Sequence, residues 1–166
     1  MKKKLVSLTL LLVTISICSA QYSPPSSVEA EVSVDTGNGY GSTGIYARRF
    51  ANTDATVGSD ITYTQSATNG DSFTINKTGV YAISYTDISA GGDAVAISLN
   101  SSGTTTINSV LASNRLCSMA LQAGVLNSCS VVLLLNSGDV IRATAGGGNV
   151  SDSNAFVRLI ITKLKG

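Results

Sequence analysis

The chain has 166 residues, of which 43% are hydrophobic and only 13% are charged, and its formal net charge is +1. Uncharged polar side chains take the place of ions, with 24 Ser, 17 Thr and 11 Asn, whereas a typical globular domain has about 25% charged residues. The sequence contains no His, which excludes Ser-His and Cys-His catalysis and His-containing zinc sites. The near-zero net charge argues against nucleic-acid binding.

Residues 1–20 have the layout of a secretory signal peptide. Three lysines precede an apolar run from Leu5 to Ile17, and the small residues Cys18 and Ala20 follow it. The run is shorter than the roughly 18–20 residues of a transmembrane helix, and no other segment is long and apolar enough to span a membrane. We therefore expect cleavage after Ala20 and a secreted protein, extracellular or at the cell surface; a lipid-modified Cys18 is the alternative. Without residues 1–20 the chain keeps 8 basic and 10 acidic residues, a net charge of −2.

Residues 21–44 contain both prolines of the chain and several glycines. This composition is typical of a flexible segment. The predicted organisation is therefore a signal peptide over 1–20, a flexible N-terminal arm or stalk over 21–44, and one globular domain over 45–166. A chain of this size can bury a hydrophobic core without the help of a metal or a disulfide.

The globular part is predicted to be all-β. Short β-branched runs are separated by turn residues at intervals of roughly 8–15 residues, which is typical of a sandwich or barrel. No segment has the sustained 3.6-residue apolar period of an amphipathic helix. The predicted strands cover 60–64, 73–75, 80–85, 95–99, 107–112, 116–121, 129–135, 140–143 and 156–164.

Asp87 and Asp93 are the candidate site carboxylates. They flank Ala90-Gly91-Gly92, so the two side chains could converge across a loop. Paired carboxylates could serve a glycosidase or hold calcium, but aspartates beside glycines are most often turn formers. We expect no catalytic residue, no enzyme activity and no required cofactor or metal; calcium at Asp87 and Asp93 is the alternative.

Two cysteines remain after removal of the signal peptide, Cys117 and Cys129, on either side of a turn at Ala123-Gly124. Antiparallel strands on the two sides of this turn would place the thiols opposite each other, and an oxidising compartment would allow a disulfide. The alternative is a pair of small buried apolar residues. A catalytic thiol is not expected without His, and two cysteines alone do not make a structural zinc site.

Phe73, Gly79, Tyr81, Ile83 and Tyr85 follow the spacing Phe, five residues, Gly-x-Tyr-x-Phe-x-(Phe or Tyr), with Ile83 at the middle aromatic position. This pattern resembles the core signature of the complement-type globular head, a branch of the tumour-necrosis-factor-like jelly rolls. The resemblance covers about residues 45–164 and implies a jelly-roll β-sandwich of about nine to ten antiparallel strands. Physically, Gly79 can supply a positive φ at a hairpin, and the two tyrosines are expected in the core between the sheets.

The resemblance also implies a homotrimer in which apolar faces of the protomers meet along a three-fold axis. The run Val131–Leu135 is apolar at every position, so both faces of that strand should be covered. We therefore expect a secreted, non-catalytic trimeric binding or surface-structural module. It would recognise an extracellular protein or glycan through loops at one end, 87–94, 100–106 and 144–153. The alternative is a soluble cytokine-like or lectin-like ligand.

Overall fold

Two five-stranded antiparallel sheets pack face to face in the computed structural model, which describes residues 28–88, 93–121, 124–146 and 155–165. The predicted signal peptide and residues 21–27 lie outside these ranges. The first sheet has the order β2-β1-β10-β5-β8, formed by β1 Ala30–Tyr40, β2 Arg48–Val57, β5 Gly79–Ile88, β8 Leu126–Leu135 and β10 Arg158–Lys165. The second sheet has the order β3-β4-β9-β6-β7, formed by β3 Ile61–Thr64, β4 Ser72–Ile75, β6 Asp93–Leu99, β7 Arg115–Leu121 and β9 Val140–Ala145.

The core lies between the sheets because alternate residues of each strand point inward. On β5 the inward residues include Tyr81, Ile83 and Tyr85, all buried. From the second sheet, Phe73 packs beside Tyr63 with ring centroids 4.8 Å apart. The predicted all-β sandwich is therefore confirmed. No helix in the described part of the chain has the length and apolarity needed to cross a membrane.

The first strand corrects the predicted domain boundary. The prediction of a flexible arm over 21–44 is wrong for residues 30–40, which form β1 between β2 and β10. Ala30, Val32 and Val34 are completely buried, and Val32 lies opposite Ile161 of β10. The alternation of these apolar residues, rather than the neighbouring glycines, decides the structure, because their burial offsets the entropy of ordering the segment.

The strand predicted over 107–112 is also wrong. This region contains two short 3-10 helices, Ile107–Ser109 and Ala112–Asn114. Val110 N donates to Thr106 O at 3.2 Å, so a local hydrogen bond replaces a ladder bond to a neighbouring strand. Ile107 and Val110 are buried, which explains why an apolar pattern is present here without a strand.

Candidate functional site

The predicted core signature lies inside the sandwich. Tyr81, Ile83 and Tyr85 face the core from β5, and Phe73 faces it from β4. The Tyr81 hydroxyl donates to Lys77 O at 2.6 Å, which satisfies its polar end. These side chains pack in the core between the two sheets, which is a structural role.

Gly79 differs from the expectation of a positive φ. It is the first residue of β5, lies opposite Leu135 of β8 and has no positive φ. The turn before β5 therefore does not use a left-handed backbone at this glycine. Glycines with a positive φ lie elsewhere, for example Gly70 with φ 71° and Gly138 with φ 95°.

The structure corrects the interpretation of Asp87 as a loop carboxylate. Because β5 continues to Ile88, the alternation that buries Tyr81, Ile83 and Tyr85 also turns Asp87 into the core, where it is completely buried. Asp93 begins β6 of the other sheet, and its side chain lies outside the described part of the structure. Within the described residues, no group of three or more His, Cys, Asp or Glu side chains could hold a metal ion.

Arg48 of β2 is the ionic partner of Asp87. Its Nη2 donates to Asp87 Oδ1 at 3.2 Å, and the Tyr85 hydroxyl donates to Asp87 Oδ2. Burial raises the pKa of Asp87, while the Arg48 guanidinium opposes that rise. Burial and the neighbouring Asp87 charge raise the pKa of Tyr85. A Cβ at Gly37 would lie 2.2 Å from Arg48 Nη2, so glycine leaves the space that the guanidinium fills.

Cys117 and Cys129 form a disulfide with their Cα atoms 6.1 Å apart. The expectation that the strands of these two cysteines pair with each other is wrong. Cys117 lies on β7 at the edge of the second sheet, where β7 pairs with β6; Cys129 lies on β8 at the edge of the first sheet, where β8 pairs with β5. The disulfide therefore links the two sheets along one side of the sandwich.

Asp71 is a second buried carboxylate, which the sequence patterns do not single out. It accepts hydrogen bonds from Phe50 N at 2.8 Å, from the Tyr63 hydroxyl at 2.6 Å and from Ser66 N at 2.9 Å. Burial and the bond to Asp71 raise the pKa of Tyr63. The three donors tie the turn between β3 and β4 to β2, which is a structural role.

The described strand ends place the starts of the three predicted recognition loops at two different ends of the sandwich. Val95 at the start of β6 lies opposite Ala145 at the end of β9, so the strand ends that flank 89–92 and 147–154 are neighbours. Residues 89–92 and 147–154 themselves lie outside the described residues. At the other end of β6, Asn100 N donates to Val140 O at 2.7 Å. Residues 100–106 therefore start from the opposite end.

The outer face of the first sheet carries an exposed apolar area, here called the β5–β8 patch and formed by Val80, Ala82, Val132 and Leu134. Val132 lies opposite Ala82, and Leu134 lies opposite Val80. The side chains of Val132 and Leu134 are 61% and 63% exposed. The described residues cover only one face of β8, so the other face is available for a partner.

The comparisons with known proteins agree with this architecture. No protein-family model matches the sequence, and the search of curated proteins gave no match. Among solved structures, the crystal structure of murine APRIL at pH 8.5 superposes with a TM-score of 0.55 and 14% identity, over 81% of this chain and 98% of that chain. The crystal structure of pika GITRL superposes with a TM-score of 0.50 and 12% identity, over 81% of this chain and 96% of that chain.

Both proteins are ligands of the tumour-necrosis-factor family with a jelly-roll fold. At identities this low, the likeness concerns the fold alone. The assignment to the complement-type branch stays a prediction. The chain has the tumour-necrosis-factor-like jelly-roll fold.

Proposed function

We propose that this chain is a secreted, non-enzymatic ligand that acts as a homotrimer and binds an extracellular partner. The observation that carries the proposal is the β5–β8 patch, with Val132 and Leu134 more than half exposed at the edge of the first sheet. Exposed contiguous apolar surface on a soluble protein marks an interaction site. The partner that fits this patch is a second copy of the same chain.

The charge distribution supports self-association. All ten residues of β8 are uncharged, and the only charged residue of β5 is Asp87, which points inward. Natural proteins protect an exposed edge strand with charges, Pro or bulges, and β8 has neither Pro nor a charged residue. Its outer face and edge therefore suit burial between protomers.

The fold supports a soluble cytokine-like ligand over a surface-structural module. The superposed proteins of known structure, murine APRIL and pika GITRL, are ligands of the tumour-necrosis-factor family. The signal-peptide pattern over 1–20 supports export of the chain. The structural module predicted from the sequence is retained as the second candidate, because an apolar patch serves either role.

Sedimentation equilibrium of the signal-free chain at micromolar concentration tests the trimer. The native chain should sediment as a trimer, and Val132→Asp should sediment as a folded monomer, because a charge would be buried without a partner in the interface. The matched control is Leu111→Asp, which places the same charge at a residue that is 71% exposed between the two 3-10 helices. A native monomer, or a trimeric Val132→Asp variant, would contradict the proposal.

A further inference from the structure

A small cavity of about 190 Å³ with a mixed polar and apolar lining lies beside β9 of the second sheet, away from the β5–β8 patch. Four separate segments contribute to it, and among the described residues Arg142 of β9 is the one charged residue in its lining. The lining residues are Ile45, Asn69, Ser102, Gly103, Thr104 and Arg142.

The charge of Arg142 has no carboxylate partner among the described residues. Its Nη1 donates to Ser101 O at 2.6 Å, and its buried Nε has no hydrogen-bond partner in the described structure. Burial lowers the pKa of Arg142, since a cation loses hydration there. Asp71, the carboxylate next to the Asn69-Gly70 turn, is already bonded to Tyr63, Phe50 N and Ser66 N.

The walls of the cavity are fixed by contacts within the chain. Tyr46 N donates to Gly103 O at 2.7 Å, and Asn69 N donates to Ser66 Oγ at 2.9 Å. A Cβ at Gly103 would lie 2.4 Å from Asn69 O, so the two walls already touch. A site that needs little ordering on binding loses less entropy when a ligand enters.

We propose that this cavity binds an acidic sugar, with its carboxylate on Arg142. The guanidinium is the side chain best suited to a carboxylate, through charge-assisted hydrogen bonds. The exposed side chains of Asn69, Ser102 and Thr104 at the same cavity supply an amide and hydroxyls that can bond sugar hydroxyls. This site is independent of the proposed trimer, because it lies on the other sheet.

The test is a nuclear magnetic resonance titration of the signal-free chain with two matched probes, methyl glucuronoside and methyl glucoside, which differ in one carboxylate. The glucuronoside should shift the amide signals of Ser102, Gly103 and Thr104, and the glucoside should bind at least about tenfold more weakly. Equal binding of both sugars would overturn the role of the carboxylate. Equal binding of acetate and the glucuronoside would overturn the assignment to a sugar.

Two cavity variants and one control variant separate binding from folding. Arg142→Gln should weaken glucuronoside binding by about tenfold or more, whereas Arg115→Gln should bind normally, because Arg115 is an exposed arginine of β7 in the same sheet. Asn69→Ala, which changes an exposed amide, should weaken binding severalfold while the melting temperature stays unchanged. Native affinity in both Arg142→Gln and Asn69→Ala would overturn the proposal. The sedimentation experiment does not depend on this cavity. A failure of the sugar-binding proposal and a failure of the trimer proposal can therefore be told apart.

Discussion

The ion pair between Arg48 and Asp87 is closed off from water, with the two side chains 1% and 0% exposed. Asp87→Asn keeps the shape of the side chain but removes the charge that balances the guanidinium. Breaking one side of a buried pair is strongly destabilising, because the remaining charge is left uncompensated. We expect the free energy of unfolding in urea to fall by about 3–5 kcal/mol.

The matched control for this residue is Asp54→Asn. Asp54 pairs with Arg158 at 2.6 Å, but those two side chains are 30% and 51% exposed. A pair in contact with water contributes about 0–1 kcal/mol, so this variant should unfold close to the native chain. If Asp87→Asn were as stable as Asp54→Asn, the buried pair would not hold the fold.

The same residues show what local sequence patterns reveal and what they miss. The alternation of Tyr81, Ile83 and Tyr85 predicts their burial correctly, and continuing it by two residues places Asp87 inward. The nearby glycines favoured a loop instead, and no local pattern identifies Arg48, 39 residues away, as the partner. Long-range partners depend on which strands become neighbours, which residue types alone do not specify.

At the scale of elements, the sequence predicts where individual strands lie better than it predicts which strands pair with each other. The runs that became β3 to β10 are nearly all placed correctly, but β2 is not predicted as a strand, and β1 is hidden because it contains Gly37 and Gly39. Cys117 and Cys129 lie about equally far from one turn, which favours a hairpin, yet β7 and β8 join different sheets. The cavity beside Arg142 has no sequence signal, since Ile45, Asn69 and Gly103 meet there only after the sheets form.

Lys163 of β10 connects three parts of the chain at one end of the sandwich. Its buried Nζ lies 2.6 Å from Asp60 Oδ2, just before β3, and 3.1 Å from Glu29 Oε2, just before β1. The hydrogen bond from Lys163 lowers the pKa of Asp60 below its ordinary value of 3.8. The folded chain therefore holds fewer protons than the unfolded chain near and below that pH, so this contribution to stability rises with pH.

Asp60→Asn isolates that contribution. The native chain should melt at a higher temperature than the variant at pH 7, and the difference should shrink as the pH falls below 3.8 and disappear once Asp60 is protonated in the folded chain. Melting curves of both chains between pH 7 and pH 2 measure it. A difference in melting temperature that stays constant over this range would show that the charge of Asp60 does not contribute.

At the scale of the whole molecule, the fold of a single chain does not explain why every residue of the run Val131–Leu135 of β8 is apolar. Val131, Leu133 and Leu135 point toward the core, which explains three of the five residues of the apolar run. Val132 and Leu134 point outward and remain exposed. The described residues leave this outer face uncovered, so contact with a second copy would meet the expectation that both faces are covered and would make stability depend on association.

That dependence can be measured by calorimetry. If folding and association are coupled, mass action stabilises the assembled state, so the melting temperature of the native chain should rise between about 1 and about 100 µM protein. Val132→Asp should melt at one temperature at every concentration, because its protomers do not associate, while Leu111→Asp should behave like the native chain. A native melting temperature that does not change over this hundredfold range would mean that the folded unit is the single chain, with Val132 and Leu134 exposed to water in the functional protein.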